Sequence, residues 1–347
     1  MDQQILIQKL CQLPCFKNLR ADDISIIAAG LSQPCFCVAY NNNKYFAKYL
    51  DSKSVEATVA QLAATQGISP DLIYVGHNWL ITEFIVGEGL NTAPVSESEK
   101  IAIMLALISR CHTIDYKQSN TQHFGLEKSV GLNLPNDDQI TTTQPIPTLD
   151  ILTTIKPLLT NLECDETLKH SLDSLLAVLK HNLSKITNIV LSSEKVLCHG
   201  DANFANAMRI KSEHKSSTAL YQLIDFECAC IAPREYDIAM LLAVNEIERN
   251  KIKTFNLFGL QHKSSANNCE NLSEIVDNIL GVGQFEANIS SDAVTCYYDL
   301  SILVNYLWYF TKYQANKQQS YKILAENQMS LLSVCYSQAN TILDQMR

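Results

Sequence analysis

Three polar side chains in the second half of the chain have the types and spacing needed to place a divalent cation beside a proton acceptor. Asp201 and Asn206 belong to an H-x-D-x4-N pattern that begins at His199, and Asp225 follows nineteen residues after Asn206. Oxygen atoms of carboxylates and amides are the ligands that Mg²⁺ prefers, and a carboxylate can accept the proton of a hydroxyl group. The pattern therefore predicts a site that combines a base with a metal ion.

The segment between Asn206 and Asp225 predicts how these two residues meet. Two short apolar runs, 207–210 and 219–224, flank the polar stretch 211–218, which is typical of a β-hairpin. Facing residues at the open end of a hairpin lie about 5 Å apart. We therefore expect Asn206 and Asp225 to lie side by side and to share one Mg²⁺ ion.

The segment 197–239 also resembles a known family. It contains HGDANFAN followed by LIDFECACIAPREYDIA, and this resembles the choline/ethanolamine kinase and aminoglycoside phosphotransferase superfamily of kinase-like small-molecule phosphotransferases. The tripeptide DFE, where protein kinases carry DFG, resembles the choline kinase branch. The resemblance implies an α+β, two-lobed protein-kinase-like fold, with a small β-rich N-terminal lobe at 1–86 and a larger, mostly helical C-terminal lobe at 87–347.

The resemblance implies a chemical role for four residues of this segment. Phosphoryl transfer needs a group that orients the attacking hydroxyl and cations that offset charge on the phosphate oxygens. Asp201 is expected to be the catalytic base, and Asn206 and Asp225 are expected to bind Mg²⁺. We expect Glu227 to contact metal-bound water or the amine of the substrate.

Other residues are expected to support the loop. His199 is predicted to stabilise it through hydrogen bonds, and Asp237 matches a family position that ties the loop down. A helix predicted over 96–114 begins with a Ser-x-x-Glu capping box and ends near His112. We interpret His112 as a packed or capping residue and leave it out of the site.

The first 86 residues are expected to bind ATP. The resemblance implies that Lys48, on a predicted strand, holds the α- and β-phosphates and that Glu56, on the next helix, pairs with it. The alternatives are a solvated strand lysine and an exposed helix glutamate. The segment 82–85 resembles the hinge of the family, where backbone groups of Glu83 and Ile85 would bind adenine.

The predicted phosphate loop departs from the family pattern. Residues 30–34 read GLSQP, with one glycine and one proline, so fewer backbone N–H groups can approach a phosphate. This feature favours a second hypothesis, a catalytically silent kinase-like protein that binds nucleotide or a partner. The joint presence of Asp201, Asn206 and Asp225 weighs against it.

A predicted helix over 292–313 is rich in aromatic residues, and Tyr306 and Tyr309 share one face of it with Tyr313. Choline-kinase-like enzymes surround a quaternary ammonium with such residues, and Asp299 and Glu227 are possible counter-charges. The alternative is core packing. We expect a small hydroxyl substrate that is cationic, choline or ethanolamine first, while thiamine and aminoglycosides remain open.

Composition excludes several classes of partner and site. The net charge of −9 argues against nucleic acid, whose phosphates select basic surfaces. The 12 cysteines are scattered without zinc-ligand spacing, which is typical of reduced thiols in a cytoplasmic protein. A metal-dependent hydrolase using His199 and Asp201 lacks further ligands. We expect no signal peptide and no membrane insertion.

Four more segments are predicted from hydrophobic periodicity or its absence. Helices are expected over 165–186 and 321–346, and irregular structure is expected over 115–148 and 250–271.

Overall fold

The computed structural model describes residues 2–27, 33–51, 54–117, 144–211, 220–249 and 289–346, except for the side chain of residue 191. Most of the predicted phosphate loop, the predicted hairpin turn at 212–218, the middle of the segment 115–148 and the segment 250–271 lie outside the described residues. The chain divides into two compact units. Unit 1 comprises Met1–Pro94, Thr113–Ile146 and Ala205–Ala229, and unit 2 comprises Val95–His112, Pro147–Phe204 and Cys230–Arg347. The lobe boundary at residue 86 stays a prediction.

Unit 1 is built on a five-stranded antiparallel sheet. Its strands are β1 (Ile24–Ile27), β2 (Cys35–Tyr40), β3 (Asn43–Tyr49), β4 (Leu72–Gly76) and β5 (Trp79–Glu83). They are arranged in the order β1-β2-β3-β5-β4. The turns that join β2 to β3 and β4 to β5 contain asparagine and histidine residues with positive φ, which these residue types tolerate better than most. Two β-hairpins, β2–β3 and β4–β5, therefore supply four of the five strands.

Two helices complete the first part of unit 1. They are α1 (Gln3–Leu10) and α2 (Glu56–Thr65). The apolar face of α1 packs on the sheet, where Leu6 and Leu10 join Phe36 and Trp79 in a buried cluster. This cluster fixes one face of the sheet that carries Lys48.

A second, three-stranded antiparallel sheet in unit 1 contains the predicted hairpin. Its strands are β6 (Gly87–Gly89), β8 (Ala207–Ile210) and β9 (Leu220–Leu223), with β8 in the centre. Gly87 pairs with Ile210, and a Cβ atom at Gly87 would collide with the carbonyl oxygen of Arg209. The approach of β6 to β8 therefore requires glycine at this position.

Unit 2 is mainly helical. Two antiparallel strands, β7 (Lys195–Cys198) and β10 (Cys230–Pro233), stand beside eight helices in its described residues. These helices are α3 (Glu97–His112), α4 (Ile151–Thr160), α5 (Glu166–Lys185), α6 (Thr187–Ser192), α7 (Arg234–Val244), α8 (Ser291–Asn316), α9 (Gln319–Ser333) and α10 (Ser337–Met346). The central helix α8 packs against α7 and α9. None of the described helices combines the length and the apolar character that a membrane crossing requires.

The predicted helices agree with the structure except at the C-terminus. The single helix predicted over 321–346 is wrong, because α9 ends at Ser333 and α10 begins at Ser337. Tyr336 lies in this break, where its hydroxyl donates to Asp299 (2.6 Å) and accepts from Asn182 (3.3 Å). Periodicity cannot predict this break, since the apolar pattern continues on both sides of it.

The first turn of α3 provides a test of local stability. Ser96 Oγ accepts from the backbone N–H of Glu99, and the carboxylate of Glu99 accepts from the N–H of Ser96 at 2.7 Å. We predict that Ser96→Ala lowers the free energy of unfolding by about 1 kcal/mol, measured by urea denaturation. Ser330→Ala is the control, because Ser330 Oγ only donates to a carbonyl within α9. Equal effects of the two variants would contradict a capping role for Ser96.

Candidate active site

The centre of unit 1 is the ammonium group of Lys48, which is surrounded by three carboxylates. Lys48 Nζ lies 2.8 Å and 3.0 Å from the two carboxylate oxygens of Glu56. It also lies 2.7 Å from Asp225 Oδ1 and 3.4 Å from Glu227 Oε2. The ion pair between Lys48 and Glu56 that the sequence predicts is present, and the solvated-lysine alternative is excluded because Lys48 is buried.

Burial and charge act on this cluster in opposite directions. Burial alone would lower the pKa of Lys48, but the carboxylates of Glu56 and Asp225 raise it overall. Burial raises the pKa of Glu56 to about 7, against the attraction of the Lys48 ammonium. Lys48 therefore remains charged, and Glu56 is the carboxylate of the cluster most affected by desolvation.

The backbone explains how Asp225 reaches Lys48. The pairing of β8 with β9 continues one step further, because the N–H of Ile224 donates to the carbonyl oxygen of Asn206 at 2.9 Å. Asp225 follows with a φ of 65°, a left-handed conformation that turns the chain sharply out of the strand. The hairpin thus brings the backbones of Asn206 and Asp225 to the same end, as the sequence predicts.

Oxygen ligands for a cation are available in unit 1. Carboxylate oxygens of Glu56, Asp225 and Glu227 lie within 4.8 Å of one another, and Asn206, which is largely buried, stands at the adjacent hairpin end. This donor set, made only of oxygen atoms, fits Mg²⁺. The assignment of Asn206 and Asp225 as its ligands stays a prediction.

The nucleotide hinge predicted at 82–85 lies where β5 ends. Glu83 is the last residue of β5 and is exposed, and its backbone N–H donates to the carbonyl of Asp71 at 3.0 Å. Ile85 is half-buried and precedes β6. The hinge therefore lies in unit 1, between its two sheets, and adenine binding by Glu83 and Ile85 stays a prediction.

In unit 2, Asp237 holds the loop that carries Asp201. The Asp237 carboxylate accepts from the backbone N–H of His199 (3.1 Å) and of Gly200 (3.0 Å). The N–H of Asp201 in turn donates to His199 Nδ1 at 3.3 Å, and Gly200 has a φ of 77°, which favours glycine. The backbone around Asp201 is thus fixed on its N-terminal side by hydrogen bonds to two buried side chains.

His112, which the sequence interpretation left out of the site, holds Asp237. Its Nε2–H donates to Asp237 Oδ2 at 2.9 Å, and both side chains are almost completely buried. Although burial alone would raise the pKa of Asp237, the hydrogen bond and charge of His112, with the N–H of Gly200, lower it overall. Helix α3 therefore helps to hold the loop that carries Asp201 through this pair, and the only signal in the sequence is a histidine at a helix end.

The two tyrosines predicted to bind substrate occupy different environments on α8. Tyr306 is completely buried, its ring stacks on Phe310, and its hydroxyl has no hydrogen-bond partner among the described residues. Core packing therefore accounts for Tyr306, contrary to our expectation. Tyr309 is half-buried, and burial together with the negative charges of Asp201 and Glu246 raises its pKa to about 12.

Asp299, one of the two possible counter-charges, already has partners within unit 2. Asp299 is buried, and its carboxylate lies 3.2 Å from Arg249 and accepts from Tyr336, so its charge is already balanced within unit 2. Glu246 was missed by the sequence interpretation. It is half-buried two residues after α7 ends, and its carboxylate accepts from Asn327 at 3.1 and 3.2 Å. No pattern in the sequence indicates that Glu246 lies near Tyr309, which is 63 residues further along the chain.

The hydrogen bonds of Asp237 predict a pH-dependent effect on stability. Because its folded-state pKa lies below the ordinary 3.8, the ionised carboxylate stabilises the fold above about pH 3.8, and this stabilisation is lost as pH falls through the folded-state pKa. We predict that Asp237→Asn lowers the free energy of unfolding by about 1.5–3 kcal/mol at pH 7. The difference from wild type should shrink on acidification below pH 3.8.

The control for this measurement is Asp173→Asn, because Asp173 is exposed on α5. Urea denaturation of both variants and wild type at pH 7 and pH 3 gives the comparison. A difference between Asp237→Asn and wild type that stays constant with pH would contradict the assigned ionisation of Asp237.

Comparison with known proteins places the chain in a family. The family model for choline/ethanolamine kinase matches residues 44–274, which is well over half of the chain and includes both groups of polar residues described above. No curated protein matches the chain in sequence. The resemblance inferred from the segment 197–239 is therefore confirmed at the level of the family.

Solved structures are similar over nearly the whole chain. A choline/ethanolamine kinase family protein from Mesorhizobium loti is 14% identical with a TM-score of 0.58, covering 100% of this chain and 99% of its own. An ethanolamine kinase from Plasmodium vivax is 15% identical (TM-score 0.57, covering 99% and 88%). The spectinomycin phosphotransferase APH(9)-Ia, solved with ADP and spectinomycin, is 12% identical (TM-score 0.53, covering 100% and 98%).

At these identities the likeness establishes the fold, and it confirms the expected kinase-like architecture with a β-rich N-terminal region and a helical C-terminal region. Combined with the family match, it identifies the chain as a member of the choline/ethanolamine kinase family and as a small-molecule phosphotransferase.

Proposed function

We propose that the protein transfers the γ-phosphate of ATP to the hydroxyl group of a small cationic amino alcohol, with choline or ethanolamine as the first candidates. The family match supports this class of substrate. Nucleotide binding is supported by a similar structure solved with ADP and by another, the choline kinase LicA from Streptococcus pneumoniae, solved with AMP. The observation that carries the proposal is the half-buried ring of Tyr309 in unit 2, whose pKa is raised by burial and by the negative charges of Asp201 and Glu246.

The nucleotide end of the proposed reaction depends on Lys48. Its ammonium contacts the α- and β-phosphates of ATP, and Glu56 fixes the direction of the lysine side chain from the first turn of α2. Asn206 and Asp225 hold Mg²⁺, which when bound offsets negative charge on the phosphate oxygens. Asp225 then serves both cations, since its Oδ1 already lies 2.7 Å from Lys48 Nζ.

The acceptor end of the proposed reaction depends on Asp201. Its carboxylate orients the substrate hydroxyl and accepts the proton as the oxygen attacks the γ-phosphorus. The hydrogen bonds of His199 and Asp237 support this role by holding the loop backbone in one conformation. Since phosphoryl transfer depends mainly on positioning and electrostatics, a rigid loop favours the reaction.

The charge of the substrate follows from the surroundings of Tyr309. An aromatic ring attracts a cation held over its face, and negative charges at Asp201 and Glu246 reach the same ring. The neighbouring rings of Trp308 and Tyr321 contact Tyr309 at centroid distances of 5.3 and 6.5 Å, so its orientation is fixed. In choline and ethanolamine two carbons separate the cation from the hydroxyl group. This short separation suits a site in which the ring of Tyr309 and the carboxylate of Asp201 are close.

The substrate class and the base are tested together. We predict ATP-dependent phosphorylation of choline or ethanolamine by the wild type, in preference to thiamine and an aminoglycoside, measured by ADP release and by mass spectrometry of the products. Asp201→Asn should reduce kcat by about 10²–10⁴-fold, the range for loss of a general base. ATP affinity, measured by calorimetry, should be unchanged because Asp201 does not contact nucleotide in the proposal.

Asp173→Asn again serves as the matched control, with an exposed carboxylate removed by the same substitution. Equal rates for Asp201→Asn and wild type would eliminate the assignment of the base. Preference for an aminoglycoside or for thiamine would eliminate the amino-alcohol assignment while leaving the kinase reaction in place.

The proposed cation–π contact of Tyr309 is tested by comparing a cationic acceptor with an uncharged one. Tyr309→Ala should raise KM for choline about two- to thirtyfold, because a cation–π contact contributes about 0.5–2 kcal/mol, while Tyr309→Phe should retain the wild-type KM. The uncharged isostere 3,3-dimethyl-1-butanol should be used equally poorly by all three proteins. A KM for choline that is unaffected by Tyr309→Ala would contradict the role of the ring.

Tyr306→Phe is the companion control on the same helix. The hydroxyl of Tyr306 is buried without a hydrogen bond among the described residues, so its removal should leave KM unchanged. The free energy of unfolding should be unchanged or should increase by up to about 1 kcal/mol. A raised KM in this variant would return Tyr306 to the substrate site.

A further inference from the structure

Asn245 binds the backbone of the catalytic loop from the C-terminal end of α7. Its Oδ1 accepts from the N–H of Phe204 at 2.9 Å. Its Nδ2 donates to the carbonyl oxygen of Ala202 at 3.0 Å and to that of Leu241 at 2.7 Å. The last of these bonds ties the side chain to α7 itself, so the amide is oriented by the helix that carries it.

The chemistry of these bonds is specific to asparagine. A carboxamide of this length offers one acceptor oxygen and two N–H donors, and each of these three groups has a partner here. Aspartate would keep the acceptor for Phe204 but would place a carboxylate against the carbonyl oxygens of Ala202 and Leu241. Serine and alanine cannot make all three bonds, and glutamine is longer by one carbon.

Asn245 and Asp237 hold opposite sides of Asp201. Asp237, in the first turn of α7, binds the N–H groups of residues 199 and 200. Asn245, just beyond the last turn of the same helix, binds residues 202 and 204. One rigid helix therefore fixes the chain at four backbone groups, two before Asp201 and two after it.

We infer that Asn245 is a positioning residue for phosphoryl transfer, which holds the carboxylate of Asp201 in place from its C-terminal side. The inference rests on the proposed function, in which Asp201 is the base. Displacement of a catalytic group by about 1 Å can reduce a rate by about 10²-fold. Loss of the bonds from Asn245 therefore affects kcat, whereas the phosphate contacts of Lys48 lie in unit 1 and involve none of these bonds.

The first test separates catalysis from binding. Asn245→Ala and Asn245→Asp should each reduce kcat at least tenfold, measured with the best acceptor among choline, ethanolamine, thiamine and an aminoglycoside (the acceptor panel). The KM for ATP should stay within about twofold of wild type. Asn182→Ala is the matched control, because Asn182 is a half-buried helix asparagine whose amide donates to the hydroxyl of Tyr336, a residue outside the loop. A kcat within twofold of wild type in both Asn245 variants would overturn the inference.

The second test needs no activity. Hydrogen–deuterium exchange, followed by mass spectrometry of peptides covering 199–206, should show faster exchange in Asn245→Ala than in wild type and in Asn182→Ala, because the N–H of Phe204 loses its acceptor. Unchanged exchange would overturn the inference even if kcat fell. If the wild type phosphorylates no acceptor of the panel, the proposed function fails, and the exchange measurement still decides whether Asn245 holds the loop.

Discussion

The burial of one lysine ammonium among three carboxylates is the interaction on which unit 1 depends. Lys48, Glu56, Asp225 and Glu227 come from a strand, a helix and the segment after a hairpin, and no local rule of secondary structure would bring them together. Removing one partner of such a pair leaves an unbalanced buried charge, which typically costs about 3–5 kcal/mol. Strand β3, helix α2 and the segment after β9 must therefore stay in positions that keep these four side chains together.

The cluster also explains why an additional cation suits this place. One ammonium does not balance the charge of three carboxylates. Burial raises the pKa of Glu56 to about 7, so that keeping this carboxylate ionised carries a desolvation penalty. A divalent cation near Asp225 would relieve this penalty in the same way that Lys48 does. The proposed Mg²⁺ thus completes a charge balance that the protein side chains leave incomplete.

The sequence predicts the parts of the site that depend on short-range patterns. The hairpin follows from two apolar runs around a polar stretch, and it places Asn206 and Asp225 at one end through pairing alone. In this hairpin the geometry is set within a few residues of the motif, so that type and spacing are sufficient. The ion pair of Lys48 with Glu56 is different, because it is expected only from the family resemblance.

The parts that the sequence does not predict act over long separations or depend on which face of a helix is buried. His112 reaches Asp237 across 125 residues, and Asn245 reaches Phe204 across 41, each through a single hydrogen bond that leaves no periodic trace. Tyr306 and Tyr309 have the same residue type and lie three positions apart, yet only Tyr309 is accessible. Helix α8 is apolar on most of its surface, so its pattern cannot distinguish a core position from a pocket position.

The choice between the two first candidate substrates depends on what surrounds their nitrogen. Ethanolamine carries three N–H donors that need acceptors, whereas the quaternary ammonium of choline has none and is best stabilised by aromatic faces. Tyr309 offers a ring, and Glu246 offers a carboxylate whose oxygens already accept from Asn327. The hydrogen bonds from Asn327 restrict the orientation of the Glu246 carboxylate. Glu246 is therefore better suited to attract a cation at a distance than to accept hydrogen bonds from the N–H groups of ethanolamine. Within the proposed function we therefore expect choline to be preferred over ethanolamine, since a diffuse cation requires charge and a ring surface but no directed hydrogen bonds.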